Sequence, residues 1–412
     1  MKRKFQEKGQ ALILIALAAV GLVGFAALAI DGSMKFSDQR HAQNAADAAA
    51  LAAALAATRQ EAINPVALSV ATTNGYDGGD MNDVTVTAED IPEASGGCPG
   101  GAAGTEITVT IKSQVKTTFA RIVGWDELEN EVTATSRGCG FYRGPLLNGY
   151  PIVGLNNYNS IGHPDSCGFT TGHSHSSEWE VEGGGVYSNG CAYSSHAGAV
   201  DFHGDCAAAA GAAAGFDCQS GGQTSLSITY PDDIDAIMPP NPCGPGGIGL
   251  PQPAPGAPFI NGVYCVSDLD AYTSEDITLL NATLYVTDTN FDLKFAGHGG
   301  LYGSPTRDGG YAGSDPYEGY YMIVARVDPP CQDFTHGDQV IEWRGNGSGS
   351  FTGTILAPSA CLDIRGNGDP AGMDTQIIAY VVGSNGNADV YINYNPDNNR
   401  LEPVYPAVTL LR

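Results

Sequence analysis

The residues best suited to chemistry lie between positions 163 and 203: His163, Cys167, His173 and His175, with Glu178 and Glu180 close behind and His196 and His203 further on. A His-x-His pair presents two imidazoles and can chelate zinc or copper. The metal candidates are therefore His163, His173 and His175, although the surrounding GFTTGHSHSSEWE is polar and loop-like, a setting in which spacing alone says little and histidines are mostly solvated. The acidic run Asp288-Thr289-Asn290-Phe291-Asp292 invites calcium, but Leu293 stands where an EF-hand loop needs glycine and Gly299 where it needs a bidentate glutamate. Alternating strand residues explain that run better. No GxSxG, HExxH or Walker A string occurs, so no catalytic residue and no cofactor are assigned.

Cysteine usage points to an oxidising compartment. All ten cysteines, Cys98, Cys139, Cys167, Cys191, Cys206, Cys218, Cys243, Cys265, Cys331 and Cys361, follow the chain's apolar segment, and an even count favours disulfides. Pairing Cys98 with Cys139, and neighbours among the other eight, is the economical connectivity. The absence of CxxC and CxxCH argues against a zinc ribbon, a thioredoxin-like site and c-type haem. The formal charge of -26 with only 19 basic residues disfavours nucleic acid and anionic lipid surfaces as partners, and its plainest role is solubility.

Any such site must be carried by elements that begin with one apolar segment, Ala11 to Ile30, ALILIALAAVGLVGFAALAI. At ~1.5 Å per residue it spans the hydrocarbon core of a bilayer, about 30 Å thick. Lys2, Arg3, Lys4 and Lys8 precede it, so the positive-inside rule gives a single-pass topology with the N-terminus inside and the body outside. Three fates are open: a retained anchor, cleavage after the small-residue motif Ala27-Leu28-Ala29, and prepilin-like processing after Gly9. The retained anchor is favoured, because the run exceeds a signal-peptide core and Leu14 stands where prepilin-like proteins usually carry glutamate. Ala11, Leu14, Ala18, Gly21, Gly24, Ala27 and Ile30 are the residues of this assembly or membrane helix, and its small members permit close helix approach.

After the span come Asp31, Arg40 and Gln43, then Asn44-Ala45-Ala46-Asp47-Ala48-Ala49-Ala50-Leu51-Ala52. Alanine alone explains a helix but not this order. The ordered string resembles the N-terminal signature of TadE/TadG-like proteins of tight-adherence (Flp) pilus systems, over about the first 60 residues, and such proteins often continue into a small strand-rich module, here to about Arg137. The resemblance implies a non-enzymatic role in a pilus or surface-appendage system, with identical neighbours or pilus-system proteins as partners. Some TadG-like proteins carry a von Willebrand factor A domain; its DxSxS motif is absent here, which removes the basis for carrying over its chemistry.

Asn64 and Pro65 mark the expected end of the alanine-rich helix. From Asp83 the period becomes two: Val84 and Val86, then Ile107, Val109 and Ile111, alternate with threonines and read as strands, followed by a short helix in Thr117 to Gly124 and a strand at Glu131 to Thr135. Beyond Phe141 the chain is rich in Gly, Asn, Ser, Thr and Tyr. Arg344-Gly345-Asn346-Gly347 recurs as Arg365-Gly366-Asn367-Gly368, and Ser384-Asn385-Gly386-Asn387 follows, a repeat of about 20 residues that suits one coil of a β-solenoid. Strand candidates include Gly185 to Tyr187, Ala199 to Phe202, Ile277 to Val286, Tyr321 to Val324, Gln376 to Val382 and Val390 to Ile392. Irregular spacing leaves a β-sandwich open. The run Ala207 to Gly215 and the Pro-rich stretch Pro239 to Pro258 read as loops.

The expected fold is α+β with a mostly β body: a basic leader (1–9), a transmembrane or stalk helix (10–62), a small α+β domain (63–140) and a Gly-rich, disulfide-braced β domain (141–412) that is a right-handed β-helix or a β-sandwich. The expected function is that of a membrane-rooted surface protein in the cell envelope. Two alternatives remain: the chain is the repeating subunit of an extracellular filament, or its β body is a polysaccharide-binding module, lyase or hydrolase.

Overall fold

The apolar run and the alanine string form one continuous helix, α1 (Gln10–Thr58). The computed structural model describes residues 10–412 apart from 94, 159–166, 172–177, 196–199, 204–205, 217–221, 224–226, 273, 296–298, 308–315, 333, 335–338, 345–348, 366–372, 385–388, 405 and 412. The chain divides into two units, Met1–Arg143 with Pro403–Arg412, and Gly144–Glu402.

In the first unit, α1 changes character along its length. From Ile13 to Ile30 nearly every side chain is exposed, Phe25 at 76% and Leu28 at 70%. From Ala42 to Ala54 the alanines at 42, 45, 46, 49, 50, 53 and 54 are fully buried, a stripe recurring every three or four residues as one helix face requires. This stripe lies on an antiparallel sheet of β1 (Asn82–Ile91), β2 (Gly104–Lys116) and β3 (Glu127–Cys139), whose inward residues include Ile107, Val109, Ile111, Val132 and Ala134. The methyl-sized side chains let the helix backbone approach the sheet closely. A Cβ on Gly138 would stand 2.5 Å from the Ala54 carbonyl oxygen, and Ser136 Oγ donates to the Ala50 carbonyl at 2.6 Å. Leu51 and Leu55 of the same helix point away from this contact and remain partly exposed.

α1 ends at Thr58, before Asn64 and Pro65. Those two residues open a second helix, α2 (Ile63–Thr73), in whose first turn proline lacks only an N–H that would have no partner there. The expected short helix of 117–124 is a 3₁₀ turn, Ala120–Val123, closed by Gly124 at φ 91°. The strand Ala407–Leu411 pairs antiparallel with β3, so the chain's last residues complete this sheet rather than the β body to which the sequence had assigned them.

Regular structure in the second unit is mainly strand, and the strands of its ladders pair in parallel. One ladder runs, in spatial order, through Gly222–Gln223, Ala208–Ala209, Val186–Ser188, Ile152–Gly154, Ile377–Gly383, Thr354–Arg365, Tyr320–Val324, Ile277–Val286, Phe259–Val266 and Leu250–Pro251. A second ladder contains Phe169–Thr170, Ala192–Tyr193 and Ala213–Ala214, and a third contains Trp179–Glu182, Val200–His203 and Val390–Asn393. Successive passes visit the three in the same order. Arg344 and Arg365, the heads of the repeated RGNG string, are direct register partners. The run Ala207 to Gly215, expected to be a loop, contributes two short strands, because alanine and glycine fit where neighbouring passes lie close.

The ladder order does not follow the chain. The chain enters at Ile152 in mid-ladder, proceeds to Gln223, and crosses the outside of the long ladder through Ile228 and the short helix Asp232–Ile237, of which Ile228 and Ile234 are buried in one cluster with Leu356 and Ile378. It restarts at Leu250 and climbs back until Ile377 pairs with Ile152, so within this unit the first and last passes are neighbours. Covered on both faces, the long ladder has apolar strands on each side, Ile152, Leu284 and Ile377 inward and Val153, Tyr285 and Ile378 outward.

Candidate functional site

The site with the most developed geometry is where α1 leaves its exposed apolar stretch. Asp31 closes that stretch and is 3% exposed. Its Oδ1 accepts the Thr118 N–H at 2.8 Å, and its Oδ2 accepts the N–H groups of Phe119 at 3.0 Å and Ala120 at 2.7 Å. The carboxylate thus fills the cradle of amides at the start of the 3₁₀ turn Ala120–Val123, where unsatisfied N–H groups favour an anion. Burial pushes the Asp31 carboxyl up, and the three amide donors outweigh it, holding it below the usual carboxylate range.

Two helical turns on, Asp38 occupies the same face, since seven residues bring a helix nearly back into phase. Its Oδ2 accepts from Ser113 Oγ and from Asn130 Nδ2 at 2.7 Å, and its Oδ1 accepts from the Tyr76 hydroxyl at 3.2 Å. Burial raises the Tyr76 phenol, and the Asp38 charge raises it further. Asn130 also donates to the Lys35 carbonyl at 3.2 Å. The sequence reading had used Asp31 only as the end of the span and had missed Asp38, Tyr76, Ser113 and Asn130; the seven-residue spacing of two aspartates, which puts them on one helix face, was the available signal.

The expected metal constellation fares differently. His163, His173, His175 and His196 lie outside the described residues. Cys167 is bonded to Cys191, with Cα atoms 4.8 Å apart, so its thiolate is not available to a metal. Among the described residues, Glu180, Glu182 and His203 do converge, their ligand atoms all within 4.8 Å of one another. Parallel pairing sets His203 opposite Glu182, and alternation turns Trp179 and Val181 inward and the two glutamates outward. His203 Nδ1 lies 3.2 Å from Glu182 and 3.4 Å from Glu180, with side chains 40–47% exposed, which is the geometry of a solvated ion-pair cluster.

The disulfides Cys98–Cys139, Cys167–Cys191, Cys243–Cys265 and Cys331–Cys361 are formed, and Cys206 is also disulfide-bonded; Cys218 lies outside the described residues. The run Asp288 to Asp292, read as alternating strand residues, is instead a turn in which the Asn290 N–H donates to Asp288 Oδ1 at 3.1 Å; the strand begins only at Asp292 (Asp292–Phe295), with Phe291 and Leu293 buried.

No curated protein and no solved structure matches the chain. The helix from its exposed apolar stretch through its buried alanine stripe is the matched portion: residues 9–57 fit the family described as putative Flp pilus-assembly TadE/G-like.

Proposed function

We propose that this chain is a non-enzymatic, membrane-rooted surface protein of a Tad-type pilus or surface-appendage system. The observation that carries the reading is the TadE/G-like match at residues 9–57, which coincides with a helix exposed and apolar in its first part and packed through alanines in its second. In this reading Ala11 to Ile30 crosses the membrane with the N-terminus inside. The disulfides support an oxidising exterior for everything beyond it. The unit Gly144–Glu402 is a β-solenoid, supported by three parallel ladders visited in constant order; the general handedness of parallel crossovers makes it right-handed. Its role is to present an acidic surface to pilus-system proteins or to neighbouring copies.

One observation favours a second reading, the chain as a filament subunit. Gly21 and Gly24 have open space around their Cα atoms, a helix face that another helix could approach closely. Electron microscopy of sheared surface fibres, with mass spectrometry of the protein's N-terminus, separates the two. Under the anchor reading the protein stays with the membrane fraction and is absent from fibres. Its presence along the length of fibres, cleaved after Gly9, makes it the subunit instead.

A further inference from the structure

The loop between β2 and β3 carries an apolar surface at a particular depth. Ile122 is 81% exposed and Trp125 65% exposed, unusual for large apolar side chains outside the helix of the same unit. With Phe119 they form one wall of an apolar groove of about 520 Å³, whose other wall is α1 at Val20, Val23 and Leu28. If Ala11 to Ile30 spans the bilayer, Leu28 stands near its outer boundary and Val20 near its midplane, because the eleven residues from Asp31 back to Val20 cover about 16 Å of a core about 30 Å thick. The loop wall therefore lies at the depth of the outer leaflet.

The backbone of this loop is suited to that depth. Irregular backbone is tolerated in hydrocarbon only where its polar groups are satisfied. Asp31 takes the amides of Thr118, Phe119 and Ala120, Ile122 donates to Phe119 at 3.0 Å, and Gly124 to Arg121 and Trp125 to Ala120, each at 3.1 Å. Thr117 donates through its N–H to the Asp126 carbonyl and through its hydroxyl to the Trp125 carbonyl. Lys116 and Asp126 bracket the stretch, and the single charge inside it, Arg121, has a stem long enough to carry its guanidinium to headgroup phosphates. A tryptophan beside a span is also the residue that membrane interfaces favour.

We propose that Thr117–Trp125 is a membrane-inserted loop, with Ile122 and Trp125 among the outer-leaflet phospholipid chains beside α1. This makes the anchor a helix with a wedge rather than a lone helix, pinned to the loop by Asp31. The inference rests on the membrane-rooted reading above.

The test is to reconstitute the full chain in phosphatidylcholine–phosphatidylglycerol vesicles containing lipids brominated at defined acyl positions, and to compare fluorescence quenching of the wild type with that of Trp125→Phe. With Trp343→Phe in every chain compared, so that Trp125 and the buried Trp179 are the tryptophans present, the expected result is that Trp125→Phe removes most of the quenching. Adding Ile122→Trp to that variant restores quenching, which excludes misfolding as the cause. Equal quenching in wild type and Trp125→Phe, with the span protected from protease, overturns the wedge and leaves the anchor standing. Failure of residues 11–30 to be protected overturns both. Efficient disulfide crosslinking of Ile122→Cys between chains, without quenching, assigns the groove to a second copy and overturns the lipid assignment.

Discussion

Asp31 Oδ2 and the Ala120 amide nitrogen stand 2.7 Å apart, joining the end of the apolar helix stretch to a loop 89 residues further along the chain. The bond is one of three to the same carboxylate, so helix and loop are held in one geometry where the chain changes from apolar to polar. In Asp31→Ala the amides of Thr118, Phe119 and Ala120 lose their acceptor, and their hydrogen exchange is expected to accelerate by at least an order of magnitude while the amides of central β2 remain protected. Asp31→Asn retains one acceptor oxygen and falls between the two.

The same carboxylate gives the loop a pH dependence whose sign follows from linkage. A carboxylate held below its unfolded value binds fewer protons in the native state, so its contribution is present above the unfolded value of about 3.9 and is lost as pH falls through the lowered native one. Tyr76 acts at the other end of the scale. Raised by burial and by Asp38, its phenol contributes fully below about pH 10 and progressively less above it. Urea midpoints of the first unit should therefore decline at both extremes; Asp31→Asn lessens the acid decline and Tyr76→Phe the alkaline one.

Close approach of α1 to β3 is the next relationship open to test. A Cβ at Gly138 meets the Ala54 carbonyl at 2.5 Å, and backbone cannot move aside as a flexible side chain does. Gly138→Ala is expected to destabilise the first unit by about 1–3 kcal/mol, the usual cost of forcing a group into a packed contact. Ala50→Leu, on the fully buried stripe, should behave similarly, whereas Ala48→Leu on the exposed side should be near neutral. Thermal unfolding of the full chain in detergent measures all three.

These contacts also separate what the sequence carries openly from what it conceals. The runs Ile277 to Val286 and Gln376 to Val382 were legible as strands because both are rich in apolar residues, and over Ala282 to Val286 and Ile377 to Ala379 both faces are covered. The echo at Arg344 and Arg365 was legible because its two heads fall in register on neighbouring passes. Ala208–Ala209 and Ala213–Ala214 were not, since two-residue strands of small side chains have no periodicity to read. Nor could local pattern reveal that Ile377 closes onto Ile152, or that Ala407–Leu411 belongs to the first sheet; both are long-range pairings whose specificity lies in the whole ladder. Asp38 was concealed for another reason: its partners Tyr76, Ser113 and Asn130 come from three separate segments.

The Cys98–Cys139 bridge ties the loop after β1 to the end of β3 across a separation of 41 residues. Closing a loop of that length restricts the unfolded chain by about 4 kcal/mol in the chain-entropy account, and measured effects run from about 2 kcal/mol upward. Replacing both cysteines by alanine should lower the unfolding midpoint of the first unit by a corresponding amount. Reduction of the wild type should reproduce the shift, and reduction of the double variant should leave that unit unchanged.

Asn261 and Asn281 stand on neighbouring passes of the long ladder, both left-handed, with φ of 49° and 57°. Asn281 Nδ2 donates to Asn261 Oδ1 at 3.0 Å, and Asn281 Oδ1 accepts the Arg307 amide at 2.9 Å, so one side chain connects three consecutive segments. Two effects then act on any replacement: the left-handed backbone disfavours a branched side chain, and the amide ladder is lost. Asn281→Gly removes only the ladder, in an exposed setting, and should cost about 0.5–1 kcal/mol. Asn281→Val suffers both and should cost about 2–3 kcal/mol, because a β-branched residue at positive φ is strained. If the two variants unfold at the same denaturant concentration, backbone conformation is not what selects asparagine here, and the ladder alone accounts for it.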